Sequence, residues 1–203
     1  MGTMRADVNN NSRKLVAIAS STGGPKALQS LVPYLPSNLN APVLIVQHMP
    51  AGFTEALAGR LNTLSKLSVK EAAEGDVLQK GHAYLARGGR HMNAVKKGGR
   101  ELIHYTDEPP REGVRPCANY MYESLTDSEY DEIICVVLTG MGADGTAGIK
   151  NLKAKKKITV IAQNEETCIV YGMPRSVVNA GLANKVMPLT QIANEIIKNV
   201  GVI

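Results

Sequence analysis

Three stretches of this 203-residue chain place reactive side chains directly after apolar runs. Leu15-Val16-Ala17-Ile18-Ala19 leads into Ser20-Ser21-Thr22-Gly23-Gly24-Pro25, and Val43-Leu44-Ile45-Val46 leads into Gln47-His48-Met49-Pro50. The apolar run 133–138 leads into Thr139-Gly140-Met141-Gly142-Ala143-Asp144-Gly145. A hydroxyl, an imidazole and a carboxylate are the parts of a nucleophile, the base that takes its proton and the acid that orients the base. Each also has an ordinary job. A Ser or Thr just before Pro25 suits a helix cap, a lone His suits a polar strand end, and Asp144 before Gly145 suits a turn or the first turn of a helix. Singly, the ordinary jobs are the better reading. Three together, each at the end of a strand, favour a site. The spacing leaves open which hydroxyl of the first turn would attack. Gly140, Gly142 and Gly145 let the backbone come close to a ligand. Amides of Gly23, Gly24 or the Met141 region, near helix starts, are candidate donors to a developing oxyanion.

Those side chains need a scaffold that brings strand ends together. The runs after Lys14 and Pro42, 133–138 and Ile158-Thr159-Val160-Ile161-Ala162 are apolar on both faces, as a parallel sheet covered on both sides requires. Helices are expected between them at 25–34, 53–65, 116–128, 143–155, 175–180 and 189–200, the last carrying Ile192, Ile196 and Val200 on one stripe. Residues 81–106 break the alternation. They read as strands around turns, at 82–86, 91–95 and 100–105, with Gly98-Gly99 supplying a hairpin turn. Residues 107–116, with Pro109, Pro110 and Pro116, form a long loop. The fold expected is α/β: a doubly wound, mostly parallel sheet flanked by helices, with an inserted antiparallel β-hairpin. Ligands of such sheets bind beyond the carboxyl ends of the strands.

Composition removes several classes. Hydrophobic residues at 44% and charged residues at 20% rule out disorder, collagen and coiled coil. Aromatics are 4% with no Trp, which argues against a stacking platform for single-stranded nucleic acid. The formal charge of +5 is a mild bias whose Lys clusters, 96–97 and 153–157, suit solvated loops or helix ends, so no nucleic-acid partner is expected. Cys117, Cys135 and Cys168 are three and widely spread, fitting a reducing cytoplasm and no zinc site; no metal or cofactor is expected. Cys117 and Cys168 lack a neighbouring His, so neither reads as a nucleophile. His82 and His104 read as packing or surface, and His91 as a turn residue with no obvious partner. No apolar run nears the roughly 18 residues of a membrane span, so no membrane insertion is expected. The Ser-Thr-Gly-Gly turn meets neither nucleotide-binding fingerprint, though a non-catalytic phosphate or nucleotide module is one alternative to an enzyme. A general small-ester serine hydrolase is the other.

The same three motifs, with Phe53-Thr54, Val69-Lys70-Glu71-Ala72, Arg115-Pro116, Ala162-Gln163-Asn164-Glu165 and Tyr171-Gly172-Met173-Pro174-Arg175, resemble the CheB family of bacterial chemotaxis receptor methylesterases over residues 14–189. The resemblance implies hydrolysis of glutamate γ-methyl esters on the cytoplasmic helices of chemoreceptors, with glutamine deamidation as a second activity. It implies Ser21 as nucleophile, His48 as general base and Asp144 as the orienting acid, with Thr22, Gly23, Met141 and Gly142 supporting the cleft or the oxyanion. The order Ser, His, Asp differs from that of the α/β-hydrolases, and no G-x-S-x-G elbow is present. The sequence departs from the family at Ala86-Arg87-Gly88-Gly89-Arg90 and at Cys117, where Ser is common. Family members carry an N-terminal phosphorylatable receiver domain, for which residues 1–13 are too few. They are expected to be a polar linker remnant, with Met1-Gly2-Thr3 ahead of Met4 an artificial leader, and 14–203 the catalytic domain.

Overall fold

A computed structural model describes residues 12–203 of the chain, so the linker expected at 1–13 lies almost wholly outside the described residues. The chain enters on β1 (Lys14–Ser20), crosses through α1 (Gly24–Leu31) and a short 3-10 turn to β2 (Val43–Gln47), and continues into α2 (Thr54–Leu64). Two short strands follow, β3 (Ser68–Glu71) and β4 (His82–Leu85), then the pair β5 (His91–Lys97) and β6 (Arg100–Thr106). Beyond the loop come α3 (Ala118–Ser124), β7 (Glu132–Val137), α4 (Thr146–Lys153) and β8 (Lys157–Gln163). The chain closes with α5 (Met173–Asn179), β9 (Lys185–Met187) and α6 (Leu189–Val200).

Seven strands form one sheet in the order β3-β4-β2-β1-β7-β8-β9, and every pairing in it is parallel. Its centre is β1, whose residues after Lys14 are all buried. Successive strand side chains point to opposite faces. Leu15, Ala17 and Ala19 therefore pack with Tyr122, Ile149 and Val177 under α3, α4 and α5. Val16 and Ile18 pack with Leu28, Leu61, Ile192 and Ile196 under α1, α2 and α6. Fully burying each large aliphatic side chain contributes about 1.5–3 kcal/mol, which is why the central strands are continuous apolar runs.

Opposite the site, at the amino ends of the strands, Glu132 of β7 lies 3.2 Å from both Lys14 of β1 and Lys157 of β8, and accepts from the Thr159 hydroxyl at 2.8 Å. Burial alone would push this carboxyl up, but the bonds from Thr159, Lys157 and Lys14 outweigh it and hold it below the usual carboxylate range.

The doubly wound architecture and the hairpin match the sequence expectation, with three differences. The hairpin β5–β6 forms a two-stranded sheet of its own, closing through Gly98 and Gly99, both at positive φ, and the outer side of β6 bonds residues 75–78 rather than the parallel sheet. It lies against α3, where the Ser124 hydroxyl accepts from the Ala94 amide at 2.9 Å. Residues 82–86, grouped with the hairpin from sequence, instead supply β4 of the parallel sheet, because Ala83, Tyr84 and Leu85 are buried on both faces. The edge strands β3 and β9 were not expected. They have four and three residues and lack the apolar run that marks a central strand.

Candidate active site

The central position of β1 brings the three motifs together. It pairs with β2 up to Ser20↔Gln47 and with β7 up to Ala19↔Val137, so Ser21 and His48 each directly follow a matched pair. Beyond the strands, His48 N–H donates to the Ser20 carbonyl at 3.1 Å and Ser21 N–H to the Thr139 carbonyl at 3.0 Å. The Thr139 hydroxyl donates to the Thr22 carbonyl at 2.9 Å. The three turns are thus laced to one another by backbone bonds and the Thr139 hydroxyl before any candidate catalytic side chain is considered.

His48 Nε2 lies 2.7 Å from Asp144 Oδ2, with 10% and 3% of the two side chains exposed. Asp144 is more than a turn residue. Its Oδ2 also accepts from the Ala118 amide at 2.6 Å, and its Oδ1 accepts from the Asn119 amide at 2.9 Å and the Cys117 thiol at 3.0 Å. The first amides of α3 have no partner within their own helix, so the Asp144 carboxylate caps α3 from a distant loop. Burial pushes the Asp144 carboxyl up, but the bonds from His48, Ala118 and Cys117 outweigh burial and hold it below the usual carboxylate range. An ionised carboxylate accepts only, so Nε2 carries the proton it donates to Asp144. That leaves the lone pair on Nδ1, a tautomer inferred from this bonding.

The hydroxyls of the first turn separate cleanly. Ser20 is fully buried and donates to Gln47 Oε1 at 2.6 Å, so it is not free to react. Ser21 is half-buried and Thr22 exposed. None of the three caps α1, whose N-cap is Gly23 at φ 82° with no side-chain hydrogen bond. Among the described residues the Ser21 hydroxyl makes no hydrogen bond to His48; strand register sets the two residues at adjacent strand ends. Catalytic hydrogen bonds are often long or poorly aligned without substrate and tighten when it binds.

The amides sort the same way. Gly24 N–H is taken by the Ser21 carbonyl at 2.8 Å, Gly140 by Val170 and Gly145 by the Asn119 side chain at 2.9 Å, so Gly24 is removed from the candidate donors. Among the described residues the amides of Thr22, Gly23, Met141 and Gly142 donate to no protein group. Gly140 must be glycine: a Cβ there would lie 2.8 Å from Ser21 Cβ and 2.4 Å from Met173 Sδ. Met141 stands out at 72% exposed. An open cleft of about 230 Å³ lies beside His48, lined also by Pro50, Val114 and Arg115. A larger hollow of about 470 Å³ between the hairpin and α3 contains none of Ser21, His48 and Asp144.

Sequence reasoning missed three supporting residues. Gln47 is described below. Cys117 is no nucleophile, since burial and the nearby Asp144 push its thiol up to about 12, but as a permanent S–H it is a donor to Asp144. The Asn119 side chain accepts from the amides of Gly145 and Gly148, fixing the start of α4 against α3. Only the Pro116-Cys117 departure from a Ser hinted at the second of these. The other histidines go elsewhere. His91 is buried, 3.1 Å from the Pro109 carbonyl and against Tyr120; His104 pairs with Glu74 at the surface, and His82 bonds the Lys80 carbonyl. Among the described residues no group of three His, Cys, Asp or Glu is placed to hold a metal ion, and no helix is long and apolar enough to cross a membrane.

Residues 16–196 match the family model described as CheB methylesterase. The protein-glutamate methylesterase/protein-glutamine glutaminase of Geobacillus kaustophilus is 46% identical over 187 residues, covering 92% of this chain and 54% of that protein. Its namesake from Desulfotalea psychrophila is 44% identical over 200 residues, covering 98% and 55%. The chain thus spans about half the length of the curated relatives it matches. The crystal structure of the Thermotoga maritima CheB methylesterase catalytic domain covers 93% of this chain and is itself covered entirely, with a TM-score of 0.89 and 41% identity. A fold, a family model and relatives that all extend across nearly the full length agree: the chain belongs to the CheB methylesterase family.

Proposed function

We propose that this chain is the catalytic part of a protein-glutamate methylesterase that also deamidates glutamine, acting on the cytoplasmic helices of methylated chemoreceptors. The observation that carries the reading is the 2.7 Å contact between His48 and a buried, four-fold hydrogen-bonded Asp144, at the strand end next to Ser21. In this mechanism Ser21 Oγ attacks the γ-carbonyl carbon of the ester while His48 Nδ1 takes its proton. The tetrahedral oxyanion is met by unclaimed amides of the Thr22 and Met141 turns. The C–O bond to the methoxy group then breaks, and His48 returns the proton so that methanol leaves. Water, deprotonated by His48, cleaves the glutamyl ester of Ser21 and regenerates the hydroxyl. With a glutamine substrate the leaving group is ammonia. Asp144 stays ionised throughout, orienting the ring and stabilising its charged form.

The extra length of the relatives supports a phosphorylatable receiver domain as the partner that regulates this site. The reading is tested by incubating wild type and Ser21→Ala with receptor carrying radiolabelled methyl esters. Wild type should release labelled methanol and the variant should not; release by Ser21→Ala at the wild-type rate would overturn the assignment.

A further inference from the structure

We propose that Gln47 is a positioning residue whose carboxamide sets the distance between the Ser21 and His48 turns. The proposal rests on the assignment of those two residues as nucleophile and base. Gln47 ends β2 and is 2% exposed. Its Nε2 donates to the Ser21 carbonyl at 2.9 Å and to the His48 carbonyl at 3.2 Å. Both of those oxygens can only accept, so the group facing them must be NH2, and the orientation of the amide follows from chemistry alone. The opposite end then has to be the oxygen, and the buried Ser20 hydroxyl donates to it at 2.6 Å.

One planar group therefore spans from the last residue of β1 to the backbone of both reactive turns. Beyond the last strand bond, from His48 N–H to the Ser20 carbonyl, these side-chain bonds tie the alcohol-bearing turn to the ring-bearing turn. The space around the amide is reserved as well. A Cβ on Gly24 would fall 1.8 Å from Gln47 Oε1, so the first residue of α1 is glycine where the amide sits. A side chain serving only to fill the sheet edge would need neither three hydrogen bonds nor this vacated wall. Gln47 touches no substrate in this arrangement. It acts through Ser21 and His48, and its effect belongs in the turnover step, because an offset of about 1 Å between reacting groups costs about a hundredfold.

The experiment compares wild type, Gln47→Met, Gln47→Glu and Ser21→Ala in steady-state methyl-ester hydrolysis, with circular dichroism used to confirm each fold. Met keeps the length without any hydrogen bond. Glu keeps the shape and the acceptor for Ser20 but cannot donate to the two carbonyls, so it stands in if Met disrupts the sheet. The expected result is kcat lowered about 10- to 100-fold with KM within about threefold of wild type. In a His48→Ala background the same changes should cost little more, because the pair they align is already broken. Wild-type kcat in both Gln47 variants would overturn the proposal. So would an equal loss with and without His48, which marks general structural damage. Activity surviving in Ser21→Ala would instead remove the mechanism on which the proposal stands.

Discussion

Asp144 shows how much one carboxylate does here. It caps α3, holds the tautomer of His48 and is kept ionised by donors on both oxygens. Asp144→Asn replaces one accepting oxygen with a donor, which reverses the imidazole tautomer and meets an amide N–H head-on. Its kcat for methyl-ester release is expected to fall about 10⁴-fold while KM moves little. The Cys117 thiol is a milder case. Cys117→Ser restores an O–H donor to Asp144 Oδ1 and should keep activity within about threefold, whereas Cys117→Ala leaves that oxygen short of a bond, at a cost of about 1–3 kcal/mol in stability to urea. Burial raises all three thiols, Cys117 to about 12 and Cys168 to about 11. Native protein at pH 8 should therefore react slowly with an aromatic disulfide reagent, and urea should release all three. Prompt reaction of Cys117 in the folded protein would contradict the burial described. At this scale the reactive types were legible in the sequence, since they stand where apolar runs stop. The supporting roles of Gln47 and Cys117 were not, because the groups that reveal them, Ser20 and Ser21 for the one and Asp144 for the other, lie 26 or 27 residues away in the chain.

At the level of elements, what matters is how closely the ends of β1, β2 and α1 approach. Gly24 lies outside the left-handed region, so Gly24→Ala brings no backbone strain and its effect is steric alone. The new methyl must displace the Gln47 amide and crowd Ser20 Cβ at 2.9 Å. The variant is expected to lose about 1–3 kcal/mol in denaturant unfolding and to share the kcat defect of the Gln47 variants. A variant as stable and active as wild type would show that the wall is softer than its geometry. The long apolar strands and the amphipathic α6, predicted at 189–200 and found at Leu189–Val200, were legible because burial on two faces or on one stripe leaves a periodic mark. The edge strands β3 and β9 carry four and three residues, too few for a period to show, and β4, legible as a strand at 82–86, owes its place in the parallel sheet to the neighbours it pairs with. The 143–155 helix begins only at Thr146 because Asp144 and Gly145 are held by α3.

The whole molecule carries charge at both ends of its sheet, with Asp144 above and Glu132 below. Both folded values lie below the ordinary carboxylate range, despite burial acting in the opposite direction. Their contribution to stability is therefore complete above about pH 4, the unfolded range, and is lost as pH falls through the lower folded values. Melting temperature followed from pH 6 to pH 3 should drop for wild type. Glu132→Gln should melt lower at pH 6 and lose less on acidification; a parallel decline would remove Glu132 from the account.

The chain order of the site has a consequence for biosynthesis. A ribosome that has released everything through the β5–β6 hairpin has already delivered the alcohol and the imidazole, yet no acid and no second neighbour for β1. Under the proposed mechanism the nascent polypeptide stays inert toward esters until β7 docks at the middle of the sheet. Hydrolytic competence then waits for the segment that brings Asp144 and encloses β1 between two neighbours.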